Sequence, residues 1–206
     1  MRSGILTGLV ILLSMGPLAG SANASGFIQS MQLHEKAMRA RGAGDLPSAI
    51  EAAEAELAVV NQHMSGDAMH LGRVLPFLGE LYLEAARFSD AESAFARAVE
   101  LRLQEAGATS GDVAGLRSRM GECRKGQGDL ASAVDFFEQA VAVFESKGSN
   151  YDLPRAGTLE LLADTLEELG RSDEALEKRR VTLRIYVKAW GDEDPRVIEA
   201  KARLKR

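Results

Sequence analysis

Residues 75–99 of this chain read LPFLGELYLEAARFSDAESAFARAV, and their spacing predicts a pair of helices. The first helix has an apolar face with the spacing i, i+3, i+4 and i+7. This face consists of Leu75, Leu78, Gly79 and Tyr82. Residues 87–90 interrupt this pattern, and a second apolar stripe follows at Ala91, Phe95, Ala98 and Val99. Ser89 or Asp90 has a side chain able to cap the second helix. The stretch therefore predicts a helical hairpin.

The hairpin pattern recurs along the chain with a period of 42 residues. One position of each unit is alanine, at Ala49, Ala91, Ala133 and Ala175. Twelve residues earlier each unit has a small residue, at Ala37, Gly79, Gly121 and Ala163. Two apolar columns follow the alanine, at Leu57, Val99, Val141 and Leu183 and at Val59, Leu101, Val143 and Ile185. A fixed period of this length is typical of stacked repeats, and we predict an all-α solenoid of four hairpins.

The first 24 residues have the features of a secretory signal peptide. A positive charge at Arg2 precedes an apolar run at 5–13, and the small residues Ala22 and Ala24 stand where a signal peptidase reads. We expect cleavage between Ala24 and Ser25 and a periplasmic or secreted mature protein. An uncleaved membrane anchor is the alternative, but the apolar run is short for a membrane span. After cleavage we expect no stable membrane insertion.

Composition narrows the classes of function. The formal net charge of the chain is −5, and no basic stripe is visible, so nucleic acid is an unfavourable partner. Cys123 is the single cysteine, which excludes an intrachain disulfide and is expected to be a buried apolar residue. The chain has no Gly-rich phosphate loop, no Gly-x-Ser-x-Gly motif and no metalloprotease motif. We therefore expect no catalytic site, no enzyme activity and no cofactor, with a hydrolase or an enzyme accessory as a minor alternative.

The repeat units resemble the tetratricopeptide repeat family. The second unit has Leu75-x2-Leu78-Gly79-x2-Tyr82 followed by Ala91-x3-Phe95, with leucine in place of the tryptophan of the family motif. The third and fourth units depart from the family motif, because they have Arg124 and Arg179 at positions where the family has an aromatic residue. The first unit departs most, with Lys36, Ala53 and Glu56 at positions that the family fills with Leu, an aromatic residue and Ala. The period and the segment 191–197 are similar to the longer kinesin-light-chain-type variant.

This resemblance implies a domain organisation. After the signal peptide at 1–24, one repeat domain spans 25–206, with units at about 30–71, 72–113, 114–155 and 156–197. A capping helix is expected at 195–206, with Asp194 as its cap and with Val197, Ala200 and Leu204 covering the last hairpin.

The resemblance also implies a scaffold or adaptor that binds another protein in a groove lined by the first helix of each unit, within an envelope assembly or a secretion complex. The family's inward-facing positions map to Met31, His34, Met38, Arg73, Phe77, Glu80, Glu84, Arg119, Glu122, Lys125, Glu160, Asp164, Glu167 and Glu168. We expect the partner segment to place Lys or Arg against the acidic fourth unit and apolar residues near Met38 and Phe77. The oligomeric state does not follow from the sequence.

A second hypothesis is a small periplasmic metal-handling protein. Imidazole and thioether groups suit copper, and the first inter-repeat linker supplies His63, Met64, Met69 and His70. Without a fixed ligand spacing, an ordinary loop that contains these residues by chance is the favoured interpretation.

Overall fold

A computed structural model describes residues 19–63 and 68–204, and this part of the chain is all-α. The helices are α1 Ala19–Gly42, α2 Leu46–His63, α3 Ala68–Glu84, α4 Phe88–Ala106, α5 Gly111–Gly126, α6 Leu130–Lys147, α7 Asp152–Glu168, α8 Ser172–Trp190 and α9 Pro195–Arg203, with a 3₁₀ turn at Ser149–Tyr151. Residues 1–18 of the predicted signal peptide lie outside the described residues. The predicted cleavage point lies within α1.

The chain divides into two compact units, Met1–His70 and Leu71–Arg206. In the first unit, α1 packs against α2. In the second unit, α5 packs against α4 and α6, and α7 packs against α6 and α8. The short helix α9 follows and packs against α8. Over the ranges that the structure describes, no helix is both long and apolar enough to cross a membrane.

The turns inside the hairpins share one backbone conformation, which explains their glycines. A left-handed residue occurs every 42 positions, with φ of 77° at Gly44, 55° at Ala86, 84° at Gly128 and 75° at Gly170. In each turn the next N–H donates to the carbonyl five residues earlier, as in the bond from Asp129 N to Arg124 O of 2.9 Å. This is the hydrogen bond that closes a helix C-terminus. Ala86 adopts the conformation although a Cβ disfavours it.

The helix caps agree only in part with the sequence prediction. The Asp129 carboxylate accepts from Ser132 N at 3.1 Å, and Asp194 caps α9 as predicted by accepting from Arg196 N at 2.9 Å. The prediction that Ser89 or Asp90 caps α4 is wrong, because α4 already begins at Phe88. The Asp90 carboxylate instead binds the guanidinium of Arg87 at 2.7 Å.

Two glycines of the repeat are explained by a close contact between paired helices. A Cβ on Gly79 would lie 2.6 Å from the ring of Phe95, and one on Gly121 would lie 2.7 Å from the ring of Phe137. Both rings are fully buried. Glycine is therefore needed because each phenylalanine lies directly on the backbone of the preceding helix.

Candidate partner-binding cleft

In the second unit, the face formed by α3, α5 and α7 contains two adjoining depressions, which we call together the central cleft. Their volumes are about 470 Å³ and about 250 Å³, and they share the lining residues Gly115, Arg119, Phe144 and Pro154. The larger is also lined by Glu80 and the smaller by Glu122, so the cleft includes three of the predicted groove residues. A cleft of this size accommodates side chains of a bound segment.

Bare helix backbone forms part of the cleft wall. Gly115 and Gly157 occupy equivalent positions of α5 and α7, and a Cβ added at either would meet no atom within 4 Å. Unlike Gly79, these two glycines have no packing reason. Glycine within a helix costs about 0.5–1 kcal/mol relative to alanine, so the fold is less stable than it would be with alanine there.

An ion-pair network crosses the cleft. The Arg119 guanidinium lies 2.7 Å from Glu80 on α3 and 2.7 Å from Glu122 on its own helix. Partial burial opposes the charge on Arg119, but the bonds to Glu122 and Glu80 outweigh it and raise the pKa of Arg119. The network fixes a guanidinium between two carboxylates in the middle of the predicted groove.

The predicted acidic end of the groove is largely neutralised by the protein itself. Arg179 on α8 binds Asp164 at 3.1 Å and Glu167 at 2.9 Å, and Lys125 binds Glu168 at 3.0 Å. Hydrogen bonds from Ser172 and then from Arg179 lower the pKa of Glu167. Sequence reasoning missed the role of Arg179. The available signal was that position 179 has a cation where the equivalent positions have Phe95 and Phe137.

Glu160 lies apart from the central cleft, against α8 and α9. Burial, then the negative charge of Glu160 and the hydrogen bond that the Tyr186 hydroxyl donates to it, raise the pKa of Tyr186 to about 12. By contrast, Leu161 lines the smaller depression and was absent from the predicted set. Leu161 could have been predicted from the 42-residue register, because position 161 is equivalent to the predicted groove residues Phe77 and Arg119.

The remaining predicted groove residues lie on α1 and α3. Met31 and Met38 on α1 are 46% and 49% exposed, and by register they correspond to Gly115 and Glu122. Arg73, Phe77 and Glu84 lie on α3, where Arg73 and Phe77 are half-buried and Glu84 is exposed. The first hairpin thus presents apolar side chains at positions where the central cleft has bare backbone or charge.

The first unit also contains a buried carboxylate that the sequence did not place. Glu56 on α2 is 0% exposed, accepts a hydrogen bond from the Ser30 hydroxyl at 3.1 Å, and lies 3.0 Å from Nδ1 of His34. The equivalent positions of the next two hairpins are Ala98 and Ala140. His34, a predicted groove residue, is therefore held in orientation by a carboxylate in the core of the first hairpin.

The residues of the metal hypothesis that the structure describes lie in different surroundings. The His63 Cβ lies 2.6 Å from where a Cβ on Gly26 would stand, and His70 is buried with its ring edge-on to Phe27. Met69 is 71% exposed, and Met64 lies outside the described residues. Within residues 19–63 and 68–204, no group of three or more His, Cys, Asp or Glu side chains is arranged to hold a metal ion.

The single cysteine is unsuited to nucleophilic chemistry. Cys123 is buried, as expected from the sequence. Its burial, with Glu92 and Glu122 nearby, raises the pKa of the thiol to about 12. A thiol with so high a pKa is not a nucleophile at neutral pH.

Comparisons with known proteins agree with this fold. Residues 112–186, which run from α5 into α8, match the family model described as tetratricopeptide repeat. No curated protein matches the sequence. Over residues 112–186 the chain is thus similar to the tetratricopeptide repeat family, as predicted, and the described residues have an all-α helical-repeat fold. Repeat proteins of this kind generally bind other proteins.

Among solved structures, the chain is similar to the nearly identical TPR-like repeats of a Podospora anserina protein described as a kinesin light chain. The TM-score is 0.73 at 18% identity, covering 85% of this chain and 84% of the other. BtubC (BKLC) from P. vanneervenii gives a TM-score of 0.68 at 15% identity over 92% and 82% of the two chains. MamA gives 0.52 at 20% identity over 82% and 90%. The predicted kinesin-light-chain-type fold is confirmed by these neighbours.

Proposed function

We propose that this protein is an exported interaction scaffold that binds a segment of another protein in the central cleft, within an envelope assembly or a secretion complex. The pair of glycines at 115 and 157 carries the proposal. Both stand within helices without a packing reason, both are on the same face, and both are next to the cleft. Glycine at such positions allows the backbone of a partner to approach closely.

The cleft favours a segment with apolar and basic side chains. Phe144, Pro154 and Leu161 offer apolar contact in the smaller depression. The carboxylate of Glu122 lines the smaller depression and its side chain is 25% exposed, so a basic side chain of the partner complements it. Because Asp164, Glu167 and Glu168 already bind Arg179 and Lys125, we place the basic residue of the partner near Glu122 rather than at the fourth hairpin.

Two different substitutions of Gly115 and Gly157 test this proposal: alanine should stabilise the protein, and leucine should weaken the binding of the partner. Alanine at 115 and 157 should raise the free energy of unfolding by about 0.5–1 kcal/mol each, because it removes the helix penalty of glycine without a clash. Leucine at both positions should fill the cleft and weaken partner binding by about tenfold or more. The partner is first captured from an envelope extract with the mature protein as bait, and its affinity is then measured by calorimetry.

Gly42→Ala is the matched control, since a Cβ there also meets nothing within 4 Å and Gly42 ends α1 in the other unit. It should leave the affinity unchanged. If the double leucine variant folds and binds the captured partner with wild-type affinity, the partner does not occupy the cleft.

Export is part of the proposal and has a separate test. The intact mass of protein recovered from the exporting cell should correspond to a chain that begins at Ser25. This cleavage point is compatible with the packing, because the first buried residue among those whose burial is described is Gly26. Recovery of a full-length chain in the membrane fraction would refute the proposed processing.

A further inference from the structure

A small cavity lies beneath α9 in the second unit, where α7, α8 and α9 meet. It is lined by Glu160, Asp164, Arg179, Thr182, Ala200 and Arg203. Thr182 is 2% exposed, and its hydroxyl oxygen has no hydrogen-bond partner in the part of the chain that the structure describes. The equivalent residues of the two preceding hairpins are alanines, so hairpin packing does not require a hydroxyl at this position. A buried polar group of this kind needs a partner that the protein does not supply.

We propose that a water molecule is bound in this cavity and links Thr182 to the charged side chains around it. The volume of the cavity is about 10 Å³. This is close to the smallest space that holds one water molecule, and the polar lining supplies the two to four partners that such a water needs.

The charges around the cavity favour a neutral molecule over an ion. Two carboxylates, of Glu160 and Asp164, face two guanidinium groups, of Arg179 and Arg203, so the formal charges cancel. Water can donate to the carboxylates and accept from the guanidinium groups, and it can do either with the Thr182 hydroxyl. An ion of either sign would meet two groups of its own charge.

The water would attach α9 to the preceding hairpin. The buried residues of α9 are Val197 and Ala200, and the Arg196 guanidinium of α9 lies 3.3 Å from the centre of the Trp190 ring on α8. A hydrogen-bonded bridge to Thr182 adds to the attachment. None of the six lining residues belongs to the central cleft, so the hydration site does not depend on the proposed function.

Thr182→Val tests the site because valine keeps the shape and has a similar helix propensity but lacks the hydroxyl. The amides of α9 should exchange with solvent roughly fivefold faster in this variant, the factor for one lost hydrogen bond. The thermal midpoint should fall as well. Thr182→Ser, which keeps the hydroxyl, should show much less of both effects.

If the cavity holds no water, Thr182→Val should change the thermal midpoint in the opposite direction. If the hydroxyl is simply unsatisfied, Thr182→Val should raise the thermal midpoint, and this result or an unchanged midpoint would overturn the proposal. In the wild-type protein, water–protein Overhauser effects should reach the amide protons beside Thr182 and Ala200, and their absence would also overturn it. A midpoint that rises in ammonium chloride relative to sodium chloride of equal ionic strength would assign the site to an ammonium ion instead.

Discussion

Replacing Gly79 with alanine should lower the free energy of unfolding by about 1–3 kcal/mol, although alanine is the better helix former. The added Cβ would lie 2.6 Å from the ring of Phe95, which is fully buried and cannot move without displacing its own neighbours. Leucine at the same position should cost more than alanine, because its whole side chain must find space in a packed core. Urea denaturation followed by circular dichroism measures both variants.

The control is Gly115→Ala, which adds the same group where nothing lies within 4 Å and should stabilise the protein. A double variant sharpens the test. Phe95→Leu makes room for the new methyl group. Phe95→Leu should therefore lower the free energy of unfolding less in the Gly79→Ala background than in the wild type. Equal stability of Gly79→Ala and Gly115→Ala would show that the ring of Phe95 does not rest on the backbone at Gly79.

His34→Ala should lower the free energy of unfolding by about 1–3 kcal/mol, since it removes one of the polar partners of the buried carboxylate of Glu56. The two groups lie 3.0 Å apart, and Glu56 has no exposed surface. Because the side chain of His34 is 23% exposed, its removal also uncovers buried surface, and the double-variant comparison separates this loss from the contact with Glu56. Thermal and urea denaturation of the variant measure the change.

Glu56→Ala provides the comparison, because it installs the residue found at the equivalent positions 98 and 140. In that background His34→Ala should cost far less, and the difference is the coupling energy between the two side chains. If the costs of the two substitutions add without coupling, the imidazole does not stabilise the carboxylate.

Much of the candidate site follows from the repeats. The resemblance to the repeat family assigns Glu80, Arg119 and Glu122 to one groove, and the structure brings these three side chains together. The register also shows that a small residue recurs at positions 79 and 121, but the rings that require it there are seen only in the structure. Helix ends are less predictable. Arg87 precedes α4 without a capping side-chain bond, whereas Asp129, at the equivalent position before α6, accepts a bond from Ser132 N.

The sequence by itself determined the helical repeat, its period and the faces of its helices, because these depend on local periodicity and on side-chain size. Only the tertiary structure decided which charges remain available to a partner. Asp164 and Glu167 form an acidic face when α7 is considered alone, but Arg179 from α8 reaches both of them. Likewise, Gly79 and Gly115 are the same residue in the sequence, and only the fold places a ring over one and open space over the other. Pairing and packing between helices depend on distances across the fold, which the spacing within one helix does not contain.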